Sequence, residues 1–354
     1  MDEKEKLLEI ISFVSPGTEI RKGLDNILDA GKGALIVVGN SESVQSLIDG
    51  GFYINCDYNP QKIYELSKMD GAIILDENTN KIIYANVQMQ PNPKIETNES
   101  GTRHRTAERV AKQTGNFVIS ISEKRKRITL YKDNIKYILR NINDIMIEAN
   151  QAIKTLERYK AVLDNALANL TILEFDDLVS LYEVALCIQR FEMLFRISNE
   201  VKRYIIELGA EGRLLNMQFE ELLIGAENEL NYLIEDYYND KEVKDVKEVI
   251  AECHELNQEE LLDFGKITQI IGYGRAYSTL DKKVMPKGYR ILGKILRLTR
   301  KDIDLLIDEY KELSYIIESD AEELTEIKGI TKFKAKALKN GLKRLKMTVL
   351  LDKK

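Results

Sequence analysis

The sequence predicts an α/β N-terminal domain, a mixed sheet flanked by helices, followed by an all-α spine and an all-α helix-hairpin-helix C-terminal domain. Three observations carry this. Short apolar runs alternate with polar turns over residues 1–140, a heptad seam begins near 141, and short helical segments with a basic end follow 285. The prolines agree: Pro16, Pro60, Pro91, Pro93 and Pro286 leave 94–285 uninterrupted, so long helices are allowed there.

The elements follow in order. Helices are expected over about 2–13 and 18–30, the second ending at the breaker Gly31-Lys32-Gly33. "ALIVV" is a short buried strand bounded by glycine. "PQKIYELSK" starts a helix at its proline. "GAIILD" and "KIIYANVQM" are strands joined by the polar turn "ENTN", and "NFVISIS" and "RITLY" are strands joined by "EKRKR". Between the pairs lie a loop with two prolines and the helix "RTAERVAKQT", closed by Gly115. From 141 the period changes: Ile145, Ala149, Ala152, Leu156, Tyr159, Leu163, Ala166 and Leu170 step alternately by four and three. "LEFDD" interrupts this helix, a second is expected over about 177–207 and a third over about 214–238. Two helix-turn-helix units follow from about 285. The expected domains are 1–140, 141–284 and 285–354.

Composition bounds the function. No apolar run is long enough to span a bilayer, and the charged start "MDEKEKLLEI" does not read as a secretory signal. Cys56, Cys187 and Cys253 form no metal pattern, which suits a reducing, cytoplasmic setting. Net charge is −6, yet Lys328–Lys354 carries +9, leaving −15 on the rest. A basic end on an acidic body suits an anion-binding module; a merely solvated tail would have the same composition.

Three stretches could carry chemistry. In "MDGAIILD", Asp70 precedes a strand, and Gly71 and Ala72 leave room for a ligand to approach the backbone. Its carboxylate could hold a divalent cation or accept a proton, although a plain turn aspartate would look alike. In "SGTRHR", Thr102 is positioned to cap a helix whose first turn is Arg103, His104 and Arg105. Cations oppose the dipole there, so an anion is needed to make sense of them. Arginine offers forked donors to phosphate, and histidine a donor to developing charge. His254, in "ECHELN", is read as unrelated to this clamp. On "SISEKRKR", Ser120 and Ser122 share one strand face. "AGKGALIVV" lacks P-loop spacing, and there is no GxGxxG. At the other end, "EIKGITKFKAKAL" has helix-hairpin-helix form, with Gly329 and Ile330 in the turn and Lys332, Lys334 and Lys336 supplying positive field. No side chain of this turn presents itself for reading bases, so binding there would be non-sequence-specific and salt-dependent.

"DGA" at 70–72 followed by "RHR" at 103–105 resembles the diadenylate cyclase domain. The order of that domain, a spine and helix-hairpin-helix units resembles bacterial DNA integrity scanning proteins of the diadenylate cyclase family. The resemblance implies that two ATP molecules are condensed to cyclic di-AMP with release of two pyrophosphates. It implies paired sites in a homo-oligomer, an octamer in the family, with Mg2+ or Mn2+ as cofactor. It implies catalytic roles for Asp70, Arg103, His104 and Arg105, with Asp70 as metal ligand. The ATP site would add Gly71, Ala72, Met89, Thr102, Thr106 and Ser122. Met89, in "ANVQMQPNP", stands where an apolar residue touches adenine. Branched, Holliday junction-like DNA would be a regulatory partner in DNA damage and repair, and the chain would be nucleoid-associated when DNA-bound. Thr331 departs from the family's hairpin, where a second glycine is typical. The rival reading is a non-enzymatic, ATP-sensing DNA-binding structural protein.

Overall fold

A computed structural model of the protein describes residues 3–239 and 245–351. The last residues of the basic segment, 352–354, lie outside them. The described residues fall into two compact units, those within 1–151 and 201–217 and those within 152–200 and 218–354.

The first unit is built on one sheet. Its strands are β1 (Ala34–Val38), β2 (Ile48–Asp49), β3 (Phe52–Asp57), β4 (Ala72–Leu75), β5 (Lys81–Met89), β6 (Phe117–Ser122), β7 (Arg127–Lys132) and β8 (Ile135–Ile138). They lie in the order β2-β5-β4-β1-β6-β7-β8, with β3 also on β5. β1 and β4 are parallel and the other pairs antiparallel, so the sheet is mixed, as expected. Helices α1 (Glu3–Phe13), α2 (Glu19–Asp29), α3 (Glu42–Gln45), α4 (Pro60–Leu66) and α5 (Thr102–Thr114) flank it.

Alternation along the strands makes two cores. Ile36, Ile73, Ile119 and Leu130 face Ile10, Leu24, Ile27 and Ile63 of α1, α2 and α4. Val37, Ile74, Val118 and Tyr131 face Val44, Ala107, Val110 and Ala111 of α3 and α5. Covered on both sides, β1 is buried throughout, which explains its unbroken apolar run. Asn59 caps α4 ahead of Pro60, and α5 ends on Gly115 at φ +70°.

The expected first strands all form, but β2, β3 and β8 escaped the sequence reading. β3 is largely exposed and is bent by Asn55 at φ +46°, so its apolar residues do not alternate cleanly.

The helices continue as α6 (Ile142–Phe175), α7 (Leu181–Leu208), α8 (Arg213–Leu223), α9 (Ala226–Tyr237), α10 (Val246–Glu255), α11 (Phe264–Ile270) and α12 (Tyr277–Leu280). The seam of α6 is buried at Ile145, Ala149, Leu156, Leu163 and Leu170, joined by Ile153 and Leu167. The expected third helix over 214–238 is two helices: Gly225, at φ +76°, turns the chain between α8 and α9. That left-handed conformation is easy for glycine and stops a right-handed helix. No helix among the described residues is long and apolar enough to cross a membrane.

His254, on α10, accounts for itself within this helical unit. Its Nδ1 lies 2.9 Å from Glu192 Oε2, and its ring packs edge-on against Phe195. The hydrogen bond to Glu192 holds its pKa above the ordinary 6.5. A raised histidine stabilises the fold fully below the unfolded value and loses that contribution as pH rises through the folded one. His254→Gln is therefore expected to lower the melting temperature most below pH 6.5, with the gap to wild type closing as pH rises. The ring is half exposed, so the effect is under about 1 kcal/mol; a gap independent of pH would leave only packing.

The chain ends in α13 (Tyr289–Gly293), α14 (Arg300–Tyr310), α15 (Leu313–Glu318), α16 (Ala321–Glu326) and α17 (Lys332–Leu351), around a core of Ile291, Leu306, Leu313, Leu324 and Leu338.

Candidate functional site

A cleft of about 600 Å3 opens where β4 and β5 meet the N-terminal end of α5. That volume suits a small-molecule ligand. Asp70, Gly71 and Ala72 form one wall, Asn86–Met89 of β5 another, and Thr102, Arg103 and Thr106 of α5 a third, with Asp49–Gly51 and Leu35 completing it. The structure thus gathers Asp70, Gly71, Ala72, Met89, Thr102, Arg103 and Thr106 of the expected residues. Asp70 is exposed and Met89 buried.

The cleft exists because β5 is irregular. Its pairing with β4 slips between Ala72↔Val87 and Ile74↔Tyr84, giving β5 an extra residue there. Asn86, at φ +55°, takes up the bulge and lines the cleft. Gly71 lies against it at φ +89°, where an added Cβ would sit 2.8 Å from Val87 O and 2.9 Å from Val87 N. Backbone cannot yield as a side-chain tip can. Gly71→Ala is expected to cost about 1–3 kcal/mol and to push the Asp70 wall off β5. An unchanged denaturation midpoint would show that the turn relaxes freely.

α5 begins differently from the expectation. Thr102 is its first helical residue, and the cap is Gly101, which has no side chain to cover the helix end. The first helical bond runs from Arg105 N to Gly101 O at 2.9 Å. The N–H groups of Thr102, Arg103 and His104 are left without helical acceptors, at the positive end of the helix dipole. The preceding loop is stapled to the helix: Arg109 Nε donates to Ile95 O at 2.9 Å, Lys112 Nζ to Glu96 O at 3.0 Å, and the Thr97 hydroxyl to Glu108.

Arg103 folds back over Gly33, where a Cβ would lie 2.1 Å from its Nη1. Continuing the β1–β6 register from Ala34↔Ile121 sets Gly33 opposite Ser122. Gly33, which the sequence presented only as a helix breaker, thus lies beneath the cleft residue Arg103 without lining the cleft itself. Ser122 is off the cleft lining, and its Oγ accepts from Arg125 N at 3.2 Å. Arg105 is exposed, and neither it nor His104 lines the cleft.

His104 is buried. Its Nδ1 lies 3.0 Å from the Tyr131 hydroxyl, which donates to Glu99 Oε1 at 2.9 Å, and Lys136 pairs with the same carboxylate oxygen. Burial lowers the pKa of His104, with help from Arg127, Lys136 and Arg125 and against the pull of Glu99. Burial would raise Glu99, but its bonds to Lys136 and Tyr131 outweigh this and keep it ionised. His104 Nε2, Ser120 Oγ, Arg127 Nε and Thr129 Oγ1 are buried without hydrogen-bond partners. By strand alternation, Ser120, Arg127 and Thr129 share the sheet face beneath α5 with Tyr131.

In the other unit, Gly329 turns the chain between α16 and α17 at φ +113°, and Ile330 is buried beneath. Lys332 and Lys336 are exposed. Lys334 is half-buried and pairs with Asp302 at 2.6 Å. Thr331 caps α17: its O accepts from Ala335 N at 2.9 Å and its Oγ1 from Lys334 N at 3.3 Å. Arg297, at φ +79° in the preceding hairpin, lies 4.8 Å over the Phe333 ring, so the two turns touch.

Family models agree with this architecture. One described as DisA bacterial checkpoint controller nucleotide-binding matches residues 21–135, and one described as DisA bacterial checkpoint controller linker region matches 139–280. Three relatives called DNA integrity scanning protein DisA are similar end to end. That of Fusobacterium nucleatum is 48% identical, covering 99% of this chain and 99% of its own. That of Clostridium botulinum is 47% identical over 100% of this chain and 99% of its own. That of Bacillus licheniformis is 46% identical over 97% of this chain and 95% of its own. Identity at this level along nearly the whole length, on a mixed sheet followed by helices, means that the chain belongs to the DisA family.

Proposed function

We propose that the chain is a diadenylate cyclase, condensing two ATP into cyclic di-AMP and two pyrophosphates at paired sites of a homo-oligomer under the control of branched DNA. One observation carries the reading: a single cleft brings a free carboxylate, Asp70, opposite Arg103 and an uncapped helix N-terminus. Phosphate oxygens suit that helix end and the forked guanidinium. Adenine suits the apolar floor at Met89 and Leu35.

The cleft holds one nucleotide and the product needs two, so two copies must face each other. Each ribose 3′-oxygen bonds to the α-phosphorus of the opposing ATP, and the bond to pyrophosphate breaks with its electron pair. Arg103 and the free N–H groups of α5 take charge on the phosphate, and Thr102 and Thr106 offer hydroxyls beside it. Arg105 stands exposed at the same helix end, available to a facing copy. Among the described residues no three His, Cys, Asp or Glu side chains gather to hold a metal. A Mg2+ or Mn2+ that takes its other oxygens from phosphates and water needs only one or two carboxylates. Asp70 fits that need; the ion, when bound, neutralises phosphate charge.

The division into 1–140, 141–284 and 285–354 follows the same reading, with the last part on DNA through the Gly329 turn, Ile330, Lys332 and Lys336. Lys334 contributes field while it remains paired with Asp302. Incubation of the full chain with ATP and Mn2+, with and without branched DNA, tests the whole. Cyclic dinucleotide and pyrophosphate in a 1:2 ratio, reduced by the DNA, are expected. ATP binding without pyrophosphate release would favour a sensor.

A further inference from the structure

Two apolar side chains of the C-terminal helices are left outside their core. Phe333, in the first turn of α17, is 61% exposed, and Leu296, in the turn between α13 and α14, is 71% exposed. Single exposed apolar residues are common on any surface. Arg297 sets these two apart. It follows Leu296 at φ +79°, a left-handed conformation that a residue other than glycine adopts only at a cost. Its guanidinium lies 4.8 Å over the Phe333 ring and makes no hydrogen bond or ion pair among the described residues. An exposed cation–aromatic contact does little to offset such strain. Backbone strain of this kind persists where function needs it.

The surroundings say what would cover the patch. The two hairpin turns, 294–299 and 327–331, carry Lys294, Arg297 and Lys328 and no acidic residue. Lys332 and Lys336 stand exposed on α17 on either side of Phe333 in sequence. The partner must therefore offer negative charge and a flat apolar face together. A nucleic acid does so where a base has left its stack. Linear duplex keeps its bases stacked and offers the turns phosphates. A branch point interrupts the stacking and leaves base faces open.

We propose that Phe333 and Arg297 form a stacking plate for a nucleobase exposed at a DNA branch point, so that the two hairpins together discriminate branched from linear DNA. The role rests on the DNA-binding reading. Phosphate contacts at the Gly329 turn hold DNA of either shape. Only a base with a free face can lie on Phe333. Every base has such a face, so the contact is blind to sequence while it selects for shape. Leu296, beside Arg297, supplies an apolar edge of the kind that parts base steps.

The test compares binding of the full chain to a four-way junction and to a linear duplex at one salt concentration. Wild type should prefer the junction. Phe333→Ala should weaken junction binding about 5- to 150-fold, the worth of one stacked base, and leave duplex binding unchanged. Phe333→Trp keeps a ring and should keep the preference. Phe333→Leu keeps apolar bulk without a ring and should lose it. The side chain is exposed, so none of these changes should move the melting temperature. Lys332→Ala, by contrast, should weaken both DNAs alike. A junction with 5-iodouracil at its branch point, irradiated in the complex, should crosslink to the peptide that holds Phe333. Equal losses on the two DNAs in Phe333→Ala overturn the plate, as does a preference retained by Phe333→Leu or a crosslink elsewhere. No loss on either DNA overturns it too, and would leave the patch to a protein partner. A wild type that binds neither DNA overturns the DNA-binding reading and this role with it.

Discussion

Asp70→Asn is expected to cut dinucleotide formation by about 100- to 1,000-fold, the several kcal/mol that a charged metal ligand contributes to phosphoryl chemistry, while fold and oligomeric size stay unchanged. The separation of effects follows from where Asp70 sits. It is exposed at the cleft mouth and makes no hydrogen bond or ion pair among the described residues, so an isosteric amide costs the fold nothing. Asn also keeps the side-chain volume, so any loss comes from charge. Asp49, the other carboxylate on the cleft, accepts from Gln90 Nε2 at 2.8 Å and is already engaged. Asp49→Asn should therefore have the smaller effect. Product formation across a Mn2+ titration, with light scattering for size, checks both. Near-normal product from correctly assembled Asp70→Asn would remove Asp70 from the machinery.

The walls of the cleft were partly legible before the structure. Asp70-Gly71-Ala72 and the Thr102–Thr106 turn announce themselves because each breaks a local rule: small residues before a strand, cations at a helix start. Asn86 and the Asp49–Gly51 turn do not, nor does Gly33, which supports Arg103 from beneath. Their part comes from long-range geometry: Gly33 matters because the Arg103 guanidinium lies against it, and Asn86 because β5 slips against β4. The same limit applies to His104. Its neighbours in "RHR" suggested a phosphate donor, whereas its hydrogen-bonded contact is Tyr131 on the sheet face beneath α5, 27 residues away. In the helices, the seam of α6 was readable from period in part. Ile145, Ala149, Leu156, Leu163 and Leu170 are buried, but Ile153 and Leu167 are buried where Ala152 and Ala166 were expected, and Tyr159 is only half-buried. The break at Gly225 was hidden in an otherwise continuous amphipathic run. A single glycine is tolerated in many helices, so only tertiary packing decides whether it becomes a turn.

The other large effect concerns stability. Arg290, on α13, is fully buried and was not singled out by the sequence. Its guanidinium pairs with Glu174 of α6 and donates to the Thr171 hydroxyl at 2.9 Å. Tyr237 of α9 donates to Glu174 Oε1 at 2.8 Å. Next to it, the Asp236 carboxylate accepts from the N–H groups of Gly288, Tyr289 and Arg290 at 2.7, 2.6 and 3.0 Å. Three helices distant in sequence thus meet at one buried ionic knot. Burial works against the Arg290 charge, but Glu174 outweighs it and keeps the guanidinium protonated. Arg290→Ala strands the Glu174 charge in the interior, and Glu174→Ala leaves Arg290 only the more distant Glu229 of α9, at 3.6 Å; each is expected to cost about 3–5 kcal/mol. Arg290→Met combined with Glu174→Leu removes both charges at similar volume and should recover most of that loss. A cycle of these variants, read by denaturant unfolding of the full chain, isolates the coupling from the cavity each truncation leaves. Losses below about 1 kcal/mol for both single variants would be those of a solvated pair, and α13 would then be held by its apolar contacts alone. Losses of the expected size would show that the same ion pair fixing α13 to α6 and α9 also sets the start of the hairpin region, since Arg290 lies in the helix that opens it.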